Sequence, residues 1–342
     1  MNRFCRIDLC MALSATFLAC AASAQQPPSA PFAWSLSPPL LSPANRPEDP
    51  CVSVKDPTVV RYGGRWHVFT TIRSKVRTHQ IEYVSFADWG DADKSPRHIL
   101  KCRDGYFCAP QVFYFRPQRK WYLVYQVAEP GRKLQLQPAY STTSDISKPE
   151  SWSKAQLFFP KDDPEGVKGW IDFWVICDQK RAYLFFTSLD GRMWRMWTPL
   201  NQFPNGFGHL ELALQADIFE ASHTYHLKGQ NRYLTVVEAQ GKEGRRYYKA
   251  YVAERLDGRW LPLADTEDAP FAGAANVTQP PQPWADNISH GELLRDSYDE
   301  TLTVDPLDLR FLIQGVLNAQ KAGISYGEIP WRLGLLTSRP KS

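Results

Sequence analysis

Apolar residues fall in short runs along nearly the whole chain, rich in aromatic and β-branched types and separated by polar turns, and no long stretch repeats with the 3.6-residue period of a helix. Five runs share one form: a turn, a basic or polar residue, then an aromatic strand. They read YGGRWHVFTT, RPQRKWYLVYQ, CDQKRAYLFFTS, LKGQNRYLTVVEA and DPLDLRFLIQG, led by Trp66, Trp121, Tyr183, Tyr233 and Phe311. Spacings of about 50 to 80 residues suit four-stranded blades repeated around an axis. The pattern predicts an all-β fold, a five-bladed β-propeller that forms a single domain over residues 51–342 with a central funnel.

The strand ahead of each turn is more informative. KDPTVV opens an otherwise apolar strand with Lys55 and Asp56, and charges at the mouth of a buried strand are costly unless paired or used. The equivalent strands begin at Ala109-Pro110-Gln111, Trp170-Ile171-Asp172, Phe219-Glu220-Ala221 and Ser289-His290-Gly291. If these five are the innermost strands, Asp56, Gln111, Asp172, Glu220 and His290 converge on one funnel. A single carboxylate at a strand start commonly caps a loop or pairs with a nearby cation. Three at matching register in different blades are expected to act together.

Composition narrows the class. Arg3 and Arg6 precede an apolar run from Leu9 to Ala22 that ends in Ala22-Ser23-Ala24. Residues 1–24 are therefore expected to be a signal peptide and the protein to be secreted or periplasmic. Leu18-Ala19-Cys20 offers lipoprotein processing as the alternative, which Phe17 fits poorly. The run is too short to span a membrane. Residues 25–50, rich in proline, read as a linker or wrapping strap. The 40 basic and 36 acidic residues are mixed along the chain, with none of the concentrated basic stripe of a nucleic-acid binder. Aromatics make up 13% of residues, with 12 Trp. Strands favour aromatics in any case, but flat rings also pack on sugar faces. Cleavage would leave Cys51, Cys102, Cys108 and Cys177, with three pairings open. Cys102 and Cys108 flank the short loop RDGYF and are expected to form a disulfide, and Cys177 to be a buried thiol. No spacing suggests zinc.

Converging carboxylates suit glycoside hydrolysis. One carboxyl protonates the leaving oxygen, while a second activates water or attacks directly. Burial and neighbouring charge can push two identical groups toward opposite protonation states. A third raises the acid's pKa by like-charge repulsion, and a lysine such as Lys55 keeps the base ionised. An acidic funnel could instead hold calcium, although no EF-hand-like loop occurs.

The segments KDPTVV, CAPQVFYFRPQRKWYLVYQ, IFEASHTYHLKGQNRYLTVVEA, PFAGAANV, WADNISHGELLR, LTVDPLDLRFLIQG and IPWRLGLLT make the chain similar to glycoside hydrolase family 62, from about Val54 to Thr337. This resemblance implies a five-bladed propeller and inverting α-L-arabinofuranosidase activity on arabinoxylan. Residue by residue it implies Asp56 as general base, Glu220 as general acid and Asp172 as the aspartate that tunes the acid and orients the sugar. It places His290 beside a structural calcium ion, with no cofactor needed for the chemistry itself. Lys55, Gln111 and Gln314 fall at or beside pocket positions, and Trp170, Tyr326 and Trp331 are candidates to line a xylan cleft, although core packing would explain those three equally well. A monomer whose partners are arabinoxylan or its oligosaccharides is expected. Pro57, where family members often carry an aromatic, and the bulky WIDFWVICD are departures beside the pocket. No carbohydrate-binding module is apparent, so grip on the polysaccharide is expected from the propeller surface. The alternatives are a family 43 arabinanase or xylosidase on the same plan, or a propeller that binds arabinoxylan without cleaving it. The intact Asp56, Asp172 and Glu220 argue against the second.

Overall fold

The structure, a computed structural model, describes residues 30–339. The expected signal peptide lies outside the described residues. Five sheets of four or five strands surround one axis, giving the five-bladed β-propeller that the repeat predicts. The innermost strands of blades 1 to 5 are Cys51–Tyr62, Phe107–Phe115, Ile171–Cys177, His223–Leu227 and Asn287–Leu293. No helix among the described residues is long and apolar enough to cross a membrane.

Each inner strand is nearly all buried, because neighbouring blades cover both of its faces. That explains why these strands read as continuous apolar runs rather than alternating ones. In blade 5 residues 294–309 connect the inner strand to the second, whereas in blades 1 to 4 a short turn makes the connection. In blade 1 this is Tyr62-Gly63-Gly64-Arg65, where Gly63 and Gly64 both take positive φ (57° and 78°) and close a two-residue hairpin.

Blade 5 closes the ring. Its strands Asn287–Leu293, Arg310–Val316 and Arg332–Ser338 are extended outward by Trp34–Leu36, from the proline-rich segment, and then by Val277–Thr278. The segment ahead of Cys51 thus supplies a strand and core residues: Trp34 and Leu41 are fully buried.

A girdle of side-chain-to-backbone hydrogen bonds ties each inner strand to the next. Thr58 Oγ1 accepts from Val112 N–H (3.0 Å). Gln111 donates to the Val175 carbonyl and accepts from its N–H, both at 2.7 Å. Trp174 Nε1 donates to the Thr224 carbonyl (2.9 Å), and His223 Nδ1 to that of Gly291 (2.6 Å). Glu292 Oε2 accepts from Val59 N–H (3.3 Å), completing the circuit. Inner strands lie too far apart to form a ladder, so these side chains satisfy backbone groups that would otherwise be buried unpaired.

The expected Cys102–Cys108 disulfide is not formed; Cys51, Cys102, Cys108 and Cys177 are free thiols. Cys102 packs in the apolar cluster between blades 1 and 2. Cys108 lies within the inner strand and donates to the Tyr106 hydroxyl at 3.0 Å while accepting from Gln126 at 3.3 Å. A six-residue separation does not bring the two thiols together, because the strand turns the second one away.

Candidate active site

Four of the five inner strands carry a pairing irregularity at a common level, between Lys55 and Thr58, Cys108 and Gln111, Ile171 and Trp174, and Ser289 and Gly291. In blades 1 to 4 a non-glycine residue sits at this level in the left-handed region: Asp56 (φ 48°), Ala109 (52°), Asp172 (55°) and Ala221 (53°). L-residues there cost of order 1–3 kcal/mol, and such strain persists where the surroundings over-determine it, commonly at functional sites. The bulge turns each strand's side chains inward at the same height and so assembles the site.

Asp56, Asp172 and His290 come together as the sequence predicts. His290 Nδ1 is 3.5 Å from Asp56 Oδ1 and 3.9 Å from Asp172 Oδ2. Lys55 Nζ lies 3.8 Å from the other Asp56 oxygen. Glu220 stands one position before the left-handed residue of blade 4, and Asp172 accepts the Ala221 N–H at 3.1 Å, binding the two blades at the site. All of these side chains are buried, with residue exposures of 4–8%.

Their electrostatics diverge. Burial would raise the Asp56 carboxyl, but Lys55, then His290 and a hydrogen bond from Thr71, outweigh it and hold it below the usual carboxylate range. Burial pushes Glu220 well above that range, reinforced by the charges of Glu238 and Asp172 and only partly opposed by Arg246. Asp172 is raised to about 6 by burial, with His290 opposing and Asp56 and Glu238 adding. The surroundings therefore bias Asp56 toward the ionised form and Glu220 toward the protonated form, the division of roles that general acid–base hydrolysis needs.

Other expected site residues are placed differently. Gln111 is fully buried in the inter-blade girdle; the funnel position of blade 2 is Ala109, because the bulge spans two residues that counting along the sequence does not register. Trp170 is buried, its Nε1 bonded to the Leu136 carbonyl and its ring packed on Phe159, Phe173 and Phe186. Trp331 is buried against Val316 and Ile329. Neither tryptophan offers a face to a sugar. Gln314 is also buried and supports the site from behind, accepting Asp56 N–H at 2.8 Å. Tyr326 is 50% exposed at the rim, with Lys55 Nζ 4.9 Å from its ring centre.

Sequence reasoning missed Glu238 and Arg246. Arg246 Nη1 reaches Glu220 at 3.3 Å and Glu238 at 2.7 Å. The available signal was a carboxylate inside the apolar run TVVEA. Calcium requires six to eight oxygen ligands. No three His, Cys, Asp or Glu among the described residues are grouped to hold a metal, and the groups nearest His290 Nδ1 are the two aspartates already described. The described side chains alone do not make up a calcium shell around His290.

Comparison with known proteins agrees with this fold. The sequence matches Glycosyl hydrolase family 62 over residues 37–337. It is 42% identical over 315 residues to α-L-arabinofuranosidase C of Cellvibrio japonicus, an alignment that takes in 90% of this chain and 47% of that protein. The chain thus spans about half the length of that curated relative. The catalytic domain of a Coprinopsis cinerea family 62 α-L-arabinofuranosidase superposes with a TM-score of 0.83 at 39% identity, covering 92% of this chain and 98% of that one. A family 62 hydrolase in complex with xylotriose superposes at 0.82 and 37% identity, covering 92% and 99%. A family match over most of the chain, and close likeness to whole catalytic domains, decide between the two hydrolase families considered from sequence: the chain belongs to glycosyl hydrolase family 62.

Proposed function

We propose that this protein is an α-L-arabinofuranosidase that removes arabinofuranosyl side chains from arabinoxylan with inversion. The observation that carries the reading is the pair of buried carboxyls, Asp56 and Glu220, whose surroundings push their pKa values in opposite directions. The names of its relatives support the activity. The xylotriose bound to one of them supports a xylan-type backbone as the polymer that crosses the rim.

In this mechanism Asp56 takes a proton from a water molecule beneath the anomeric carbon as the water oxygen forms its bond to that carbon. The glycosidic bond breaks on the opposite side, and its oxygen leaves with the proton of Glu220. Asp56 ends protonated and Glu220 ionised, and exchange with solvent restores both. Asp172, joined to the Glu220 blade through Ala221 N–H, raises the acid's pKa and orients the sugar. Lys55 holds the base ionised. Tyr326 gives the backbone an exposed ring at the rim. The leader at residues 1–24 would export the enzyme to meet its polymer.

Proton NMR of the protein acting on arabinoxylan tests this directly. First-formed β-L-arabinofuranose, absent with Asp56→Ala, is the expected outcome. First-formed α-product would mean retention, and no arabinose with binding intact would mean a carbohydrate-binding propeller. The acid has its own test. Glu220→Ala should lose far more activity on polysaccharide than on a substrate with an activated leaving group, and equal losses would reassign it.

A further inference from the structure

Glu238 lies on the second strand of blade 4, Tyr233–Gln240, and is fully buried. It pairs with Glu220 through the backbone: Phe219 N–H donates to the Glu238 carbonyl (2.7 Å) and Glu238 N–H to that of Glu220 (2.9 Å). Its side chain is surrounded by donors. Oε1 accepts from Arg246 Nη1 at 2.7 Å and from Ser289 Oγ at 2.9 Å, and Oε2 accepts from His290 N–H at 2.8 Å. The same Arg246 nitrogen reaches Glu220 Oε1, and its guanidinium is held over the Phe219 ring at 4.1 Å. On the far side Gln314 Nε2 donates to Ser289 Oγ at 3.0 Å, and Gln314 Oε1 accepts Asp56 N–H. An unbroken path of hydrogen bonds thus runs from Glu220 through Arg246, Glu238, Ser289 and Gln314 to the backbone of Asp56, crossing blades 4, 5 and 1.

Resting on the reading above, we propose that Glu238 is the positioning residue of this site: through Arg246 it holds the Glu220 carboxyl for proton donation, and through Ser289 and Gln314 it fixes the strand that carries Asp56. A buried Glu–Arg pair kept only for stability would be weakly motivated, since apolar residues of the same volume commonly serve as well. Here the cation is shared with a funnel carboxyl, and Glu238 also accepts from Ser289 and His290 at the bulge of blade 5.

The signs follow from the charges. Glu220 faces Glu238 and Asp172, opposed by Arg246, with Asp56, Lys55 and Tyr326 across the funnel. Glu238 also faces Tyr248 and Lys321. Removing the charge of Glu238 deletes a repulsion and frees Arg246 to pair fully with Glu220, so the acid loses its proton at lower pH. Removing Arg246 does the reverse.

The test is the basic limb of the kcat/KM profile on an aryl arabinofuranoside, with the Glu220 carboxyl followed by carbon-13 NMR. Glu238→Gln should move that limb down by about one pH unit or more, and Arg246→Gln should move it up. Glu238→Asp, which keeps the charge, should lower kcat while leaving the limb in place. A limb unmoved in both neutralising variants, with thermal midpoints lowered, is the signature of a purely structural pair and overturns the proposal. If neither variant folds, the wild-type titration decides: a Glu220 carboxyl that titrates in the ordinary range leaves nothing for Glu238 to hold. Failure of the proposed function would show differently, as wild-type protein that releases no arabinofuranose while the carboxyl still titrates high.

Discussion

Lys55 and Asp56 are neighbours on one strand, yet both side chains face the funnel, with Lys55 Nζ 3.8 Å from the Asp56 carboxylate. Successive strand residues normally point to opposite faces. The φ of 48° at Asp56 cancels that alternation, so a backbone irregularity places the cation beside the carboxylate. The local strain thereby fixes a charge pair at the point where the proposed mechanism calls for an ionised carboxylate.

Replacing Lys55 with methionine tests what that pairing does. Lys55 is the strongest influence that opposes the effect of burial on Asp56, so without it the carboxyl pKa rises. A base works only when ionised, and its activity is lost as pH falls through its pKa. The acidic limb of the kcat/KM profile should therefore move up by about 1–2 units, with the loss relative to wild type growing as pH falls below about 5. A limb that stays in place would remove Lys55 from the mechanism.

Asp172→Asn separates function from stability. Burial raises the Asp172 carboxyl to about 6, above the ordinary 3.8, so the fold disfavours the ionised form. This penalty is absent below the unfolded pKa, grows as pH rises between the two values, and is complete above the folded one. Asparagine removes it while still able to accept the Ala221 N–H. The variant should be more stable than wild type at pH 7 by up to about 3 kcal/mol and equal or less stable near pH 3, with activity much reduced. Urea unfolding at the two pH values measures this.

Much of the architecture was legible because each blade repeats a local signal, a tight turn followed by an aromatic second strand, and turn chemistry and strand propensity act over a few residues. Asp56, Asp172, Glu220 and His290 were legible as charges or polar groups where buried strands begin. Gln111 was misplaced because a bulge consumes residues without advancing the ladder, which spacing cannot reveal. Glu238 and Arg246 were missed because they come from the second and third strands of blade 4 and meet Glu220 only through cross-strand pairing. The burial of Trp170 depends on packing against Phe159, Phe173 and Phe186 and that of Trp331 on Val316 and Ile329, and no pattern in the flanking residues encodes that.

The inter-blade girdle makes its own prediction at Gln111. Its amide pairs both polar groups of the Val175 backbone, which are otherwise buried without partners. Gln111→Leu keeps the approximate volume and strands both groups, each worth about 1–3 kcal/mol. The midpoint of urea unfolding should drop by an amount equivalent to about 2–4 kcal/mol, while the pH profile of activity stays as in wild type. A shifted profile would return Gln111 to the funnel.

Trp34 tests how the ring is closed. It pairs with Ser338 across the outer edge of blade 5, bonds through its indole N–H to the Phe271 carbonyl, and packs edge-on against the Phe271 ring at 5.2 Å. Its strand joins the start of the described chain to the last strand, Arg332–Ser338, so the contact is a clasp between sequence-distant ends. Trp34→Ala leaves a large cavity and should cost about 3–5 kcal/mol. The loss should also be uneven: blade 5 loses its outer partner, so amide protection in Arg332–Ser338 should fall before that of blade 3. Ser289, His290 and Gln314 lie on strands of that same blade, and activity should therefore disappear at lower denaturant than the bulk of the β-sheet signal. Simultaneous loss of protection in all five blades would instead show that the girdle, rather than the clasp, sets the cooperativity of the ring.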